Sequence, residues 1–110
     1  MLLSSDLWVA ALIRRAEQGG AFATVARKGD ARAGAVLVKV LNRRAGVARV
    51  YAEALRGDGE RVWMQPQDST EETDLDAYIE RALKRDPDIW VVEIEDREGR
   101  TFLTEPVENR

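Results

Sequence analysis

Between residues 21 and 65 the chain divides into four short runs rich in β-branched and aromatic residues, with glycine in each break between them. "AFATVAR" (21–27) is followed by "KGDARAG", "AVLVKVL" (35–41) by "NRRAG", and "VARVYAEAL" (47–55) by "RGDG". "RVWMQ" (61–65) stops before Pro66. Such runs read as strands, and glycine supplies the backbone freedom that tight turns need. Short connections favour antiparallel hairpins over parallel crossovers. The expectation is a four-strand meander.

Two helix patterns bracket this block. Over 5–18, Val9, Leu12, Ile13 and Ala16 fall on one apolar stripe, and Arg14, Arg15, Glu17 and Gln18 take the wet side. Ser4 or Ser5 is placed to cap the N-terminus, and Gly19-Gly20 to stop the helix. "STEETDLDAYIERALKR" (69–85) opens with the Ser69/Glu72 capping box and carries Leu75, Ile79, Ala82 and Leu83 as its stripe. Acids load its first turn, Lys84-Arg85 its last, and Pro87 forbids continuation. The remainder reads as a strand (88–96), a Gly99-containing tip, and a final strand (100–107) with a frayed tail after Pro106. The predicted fold is therefore α+β in one domain, residues 1–110. It is a mainly antiparallel sheet of about six strands, ordered helix, four-strand meander, helix, two-strand hairpin, with two helices packed on one face.

The chain contains neither cysteine nor histidine. That removes disulfides, thiolate chemistry and the commonest general base and transition-metal ligand. Carboxylate, lysine, tyrosine and arginine chemistry remains, with a hard cation such as Mg²⁺ as the natural metal. "LWVAALI" (7–13) is too short for a membrane span, and its arginines follow rather than precede it, so a cytoplasmic protein is expected.

The acidic segment "RDPDIWVVEIEDREGR" (85–100) holds the main candidate site. Strand alternation puts Trp90, Val92 and Ile94 on one face, assigned to the core, and Ile89, Val91, Glu93 and Glu95 on the other. Glu93 and Glu95 lie roughly 7 Å apart along that face. They are candidate metal ligands together with Asp88, but arginines on a neighbouring strand would explain them equally well, and ion-pair networks outnumber active sites. Asp86 and Asp88 suit a turn around Pro87. One class of Mg²⁺-dependent nucleases carries Pro-Asp, a spacer and an acid-x-lysine. Pro87-Asp88 and Glu93-Ile94-Glu95 resemble it except in the last position, where glutamate stands for the lysine.

Charge divides unevenly. Residues 1–61 hold eleven Lys/Arg and six Asp/Glu, residues 62–110 six and fourteen, for a net −3 overall. Arg14-Arg15, Arg27-Lys28 and Arg43-Arg44 are the candidate interaction residues. A pI near 5.1 and few aromatics argue against a nucleic-acid surface. "RKGDARAG" (27–34) lacks phosphate-loop spacing and reads as a turn. Trp8, Trp63 and Trp90 are assigned to the core.

"SSDLWVAALIRR", "VARKGDARAGAVLVKV" and above all "DPDIWVVEIEDREGR" resemble a family of short alphaproteobacterial proteins catalogued as domain of unknown function 1491. The resemblance spans nearly the whole chain. It implies a small, free-standing, cytoplasmic protein and brings no catalytic residues with it. The functional expectation is a non-enzymatic interaction module that homodimerises, using no cofactor. The alternatives are a divalent-metal hydrolase or nuclease-like protein built on the carboxylates, and a weak nucleic-acid binder built on the arginine pairs.

Overall fold

A computed structural model describes residues 3–108. The first helix, α1 (Ser5–Gln18), buries Trp8, Val9, Leu12 and Ala16. Its N-terminus is not capped by a serine side chain, contrary to expectation. The Ser5 and Asp6 N–H groups instead donate to the carbonyls of Arg32 and Ala31, at 3.1 and 3.0 Å. The Asp6 carboxylate accepts the Leu7 N–H at 2.8 Å. Carbonyls of the 28–35 loop thus satisfy donors that a free helix end would leave to solvent.

The strands are β1 (Phe22–Arg27), β2 (Val36–Asn42), β3 (Val47–Leu55) and β4 (Arg61–Met64). After α2 (Glu72–Arg85) come β5 (Trp90–Glu95) and β6 (Val107–Glu108). They form one sheet in the order β1-β5-β2-β3-β4-β6. The sheet is mixed, not the expected mainly antiparallel meander: β2 with β5, and β4 with β6, run parallel. β1 and β2 do not form a hairpin, because β5 lies between them, antiparallel to β1. The cause lies in burial. β2 is buried at six of its seven positions, and β5 carries apolar residues on both faces at its start. Strands that are apolar on both sides belong in the middle of a sheet covered on both sides. β1, with one buried residue of six, takes an edge.

The helices accordingly pack on opposite faces, not on one. Trp8, Val9, Leu12 and Ala16 of α1 meet Val36, Val38, Val40, Trp90, Val92 and Ile94. Leu75, Ile79 and Ala82 of α2 meet Leu37, Leu41, Val50, Ile89 and Val91. All three tryptophans are buried, as expected. The Ser69/Glu72 capping box does not close: Ser69 Oγ accepts the Glu71 N–H and donates to Asp74, while Glu72 turns to the sheet.

The C-terminal segment also departs from expectation. Residues 96–106 do not fold back on β5 as a hairpin. They cross the α1 side, where Phe102 and Leu103 pack on the core, and β6 then joins β4 at the far edge. The tail expected to fray after Pro106 supplies that strand up to Glu108, and residues 109–110 lie outside the described residues.

Candidate functional site

Glu93 and Glu95 project from β5 on the α2 side of the sheet. The parallel register sets Lys39 beside Glu93 and Leu41 beside Glu95. Lys39 is 5% exposed and shares its ammonium among three carboxylates: Asp76 at 2.6 Å, Glu72 at 2.8 Å and Glu93 at 3.8 Å. Burial is the largest single influence on this lysine and disfavours its charge. Hydrogen bonds to Asp76 and Glu72, with the charges of Asp76 and Glu93, outweigh it and hold the ammonium above its ordinary pKa. In return, the Lys39 hydrogen bond draws Glu72 below the usual carboxylate range. Glu95 is engaged by the Arg43 Nε.

Asp88 lies elsewhere. It is exposed in the turn before β5, and its N–H donates to the Asp86 carboxylate at 3.0 Å. Its carbonyl accepts the Asp30 N–H at 3.0 Å. Five residues of extended chain separate it from Glu93, roughly 16 Å. The structure therefore does not bring Asp88, Glu93 and Glu95 together, and among the described residues no group of three ligating side chains is set to hold a metal ion. Nor does the neighbouring lysine restore the nuclease pattern. Lys39 is buried and ringed by carboxylates, so its charge is spent inside the protein.

Sequence reasoning passed over Lys39, although the signal was present. In "VLVKVL" the lysine alternates with Leu37 and Leu41 and must share their buried face. It also passed over three acids on the other side. Asp96, 3% exposed, takes the Glu98 and Arg100 N–H groups and two nitrogens of the Arg100 guanidinium. Arg100 is the leading cause that holds it down to about 2. Glu105 accepts both indole N–H groups of a stacked pair, Trp63 at 3.0 Å and Trp8 at 3.4 Å, with ring centroids 5.3 Å apart. Glu53 accepts the Val36 N–H at 2.8 Å and pairs with Arg61 at 3.2 Å; burial raises its pKa in spite of Arg61.

The basic pairs are spread over the molecule. Arg14 is exposed on α1, whereas the Arg15 Nε donates to the Phe102 carbonyl at 3.0 Å. Arg27 and Lys28 stand at one end of β1, and Arg43 and Arg44 at the other, in the β2–β3 turn. There Arg43, Arg44 and Arg97 border a concavity of about 200 Å³, which Gly20 and Phe22 of the β1 start and the carboxylates Glu95 and Asp96 also line. Among the described residues Arg27, Arg44 and Arg97 pair with no carboxylate.

No helix among the described residues is long and apolar enough to cross a membrane. No curated protein matches the sequence. Solved structures do. The chain is similar to a crystal structure of a DUF1491 family protein from Caulobacter crescentus, with 78% identity, TM-score 0.95, and 97% of this chain and 100% of that one covered. An NMR structure of a DUF1491 family protein from the same species gives 79%, 0.92, and 98% of each chain. A solution structure of an A. tumefaciens protein gives 36%, 0.81, and 96% and 95%. The family described as protein of unknown function (DUF1491) matches residues 3–104, and the chain belongs to that family.

Proposed function

We propose that the protein is a non-enzymatic interaction module whose working surface is the free edge of β1. The observation that carries this reading is the state of that strand. β1 pairs with β5 on one side only, and it leaves Phe22 76% and Val25 40% exposed. α2 packs over β2, β3 and β5, so Phe22 and Thr24 on the same face gain no cover from it. Edges of this kind are normally blunted by charge, proline or a covering loop. Between Phe22 and Ala26 this one has none of these in its sequence, and its ladder irregularity falls only between Val25 and Arg27.

An extended segment adding to such an edge gains main-chain hydrogen bonds for affinity and side-chain contacts for choice of partner. Pairing of two copies, a homodimer, would use the same edge. The engaged carboxylates support a non-enzymatic role: the cations beside Glu93 and Glu95 belong to the protein, not to a substrate.

The test uses amide NMR with a neutral strand-forming peptide of alternating valine and threonine, together with sedimentation at tens of micromolar. Shifts confined to Phe22–Arg27 and β5, or a dimer that Thr24→Pro dissolves, are the expected results. A monomer whose β1 amides ignore every extended peptide is not an edge-pairing module. Millimolar Mg²⁺ or Mn²⁺ should leave the melting midpoint unchanged. A rise that Glu93→Gln abolishes would revive the metal-hydrolase reading.

A further inference from the structure

Resting on that reading of β1, we infer that the segment which pairs with this edge is an acidic extended stretch of another protein. The argument is one of charge. β1 contains no carboxylate, and unpaired cations stand at both of its ends. Arg27 closes the strand, and Lys28 follows it, near Asp6. At the opposite end Arg44 and Arg97 border the concavity beside Phe22. The acids near this edge are already engaged, Glu93 by Lys39 and, in the lining of that concavity, Glu95 by Arg43 and Asp96 by Arg100. An incoming strand with apolar or β-branched residues at its centre therefore meets Ala23, Thr24 and Val25 in the middle, Phe22 at one end, and arginine wherever it overruns.

The same charges weigh against a second copy as the occupant. Antiparallel pairing of two β1 strands about Thr24 would set Phe22 of each copy opposite Ala26 of the other, at the ladder irregularity. It would also bring Arg27 and Lys28 of one copy to the end where Arg44 and Arg97 of the other stand. Like charges placed together across an interface select against that partner. An acidic segment meets neither obstacle. The exposed Phe22 ring supplies the apolar contact, and the arginines supply forks that match carboxylates.

Two heptapeptides titrated into the full-length protein test this, each with a valine–threonine–valine centre. One is flanked on both sides by paired glutamates, the other by paired lysines. The acidic peptide should shift the β1 amides and bind more weakly as salt rises. Replacing both Arg44 and Arg97 by glutamate should weaken it about tenfold, since two rim pairs are removed. Both side chains are exposed and unpaired, so the fold stays intact, and Phe22→Ala provides a second weakened variant that leaves the charges in place. Equal binding of the two peptides would overturn the charge argument while leaving the edge reading standing. Response to neither would overturn both. A β1-dependent dimer by sedimentation would make a second copy the occupant and overturn the inference.

Discussion

Lys39 and Glu93 stand side by side across the parallel pair β2–β5, with Nζ 3.8 Å from Oε2, and the same ammonium lies closer still to Glu72 and Asp76 of α2. One buried cation therefore joins two strands and a helix. Its carboxylates are partly exposed, at 42%, 53% and 33% of their side-chain surface, so solvent shares their charge. The cluster ties α2 to the sheet through Glu72 and Asp76.

Replacing Lys39 by methionine keeps the stem packing and removes the charge. The three acids then repel one another but can turn to water, which limits the loss. The expected destabilisation is about 1.5–3 kcal/mol, the range for hydrogen bonds to charged groups. It should be read as a lower urea midpoint at unchanged slope. The folded ammonium is held above its ordinary pKa, so its contribution is complete at neutral pH and disappears only as pH climbs through the raised folded value. Wild type and variant should converge at strongly alkaline pH.

Asp96 gives the opposite pH signature. Its carboxyl is held down to about 2 from an ordinary 3.8, first by the Arg100 side-chain hydrogen bond. A depressed folded pKa stabilises above the unfolded value and is lost as pH falls through the folded one. Asp96→Asn should thus be less stable than wild type at pH 6, and the gap should close as pH falls from about 4 to about 2. Thermal melts at successive pH values check this. A gap that persists unchanged at pH 2 would mean that geometry, not charge, makes Asp96 important.

Much of this was legible in the sequence, and what was not has a physical reason. The α1 boundaries and the α2 stripe follow from helical periodicity, and the face assignment of Trp90 to Glu95 from strand alternation. Strand order did not follow. The 28–35 break is short enough for a hairpin, and nothing local shows that β5, arriving after α2, will take the place beside β2. The clue was compositional: β5 is apolar on both faces at its start, which demands a central position covered on both sides. The parallel β4–β6 pair was hidden because residues 100–106 look like strand yet cross the α1 face as irregular chain. At the candidate site the acids are visible in the sequence, but the partner of Glu93 is a lysine inside the apolar run of β2, which only the β2–β5 pairing sets beside it.

The 28–35 loop makes a sharp prediction about glycine. Gly34 lies so close to the Asp88 carbonyl that an added Cβ would collide with it, and the Asp30 backbone N and O would stand at 2.9 Å. A Cβ on Gly29 would likewise meet the Asp88 carbonyl, and the Trp90 Cδ1 at 2.7 Å. These backbones cannot yield without disturbing the start of β5, where the Trp90 indole donates to the Asp30 carbonyl at 2.7 Å. Gly34→Ala should cost about 1–3 kcal/mol, the usual penalty for overpacking. Gly57→Ala, with nothing within 4 Å of the new methyl, is the matched control and should change stability by under about 0.5 kcal/mol. Equal effects in the two variants would show that the loop is not clamped as described.

Trp63 and Glu105 separate packing from polarity on the other face. Trp63 is fully buried, stacks on Trp8 and donates its indole N–H to Glu105. Trp63→Ala should cost about 3–5 kcal/mol through the cavity it leaves. Glu105→Gln keeps an acceptor oxygen for one indole but loses the charge. Burial, the largest single influence, pushes the Glu105 pKa up, and the Trp63 and Trp8 donors with Arg61 outweigh it, so the carboxylate is held below its ordinary range. The glutamine variant should therefore cost about 1 kcal/mol near neutral pH, in the range of a single hydrogen bond. Because a depressed pKa loses its stabilisation on acidification, that difference should shrink as pH falls below the ordinary carboxylate value of 4.5. Tryptophan fluorescence reads both variants. Unfolding midpoints that match wild type after Glu105→Gln, at every pH, would show that the indoles need only packing and not the carboxylate.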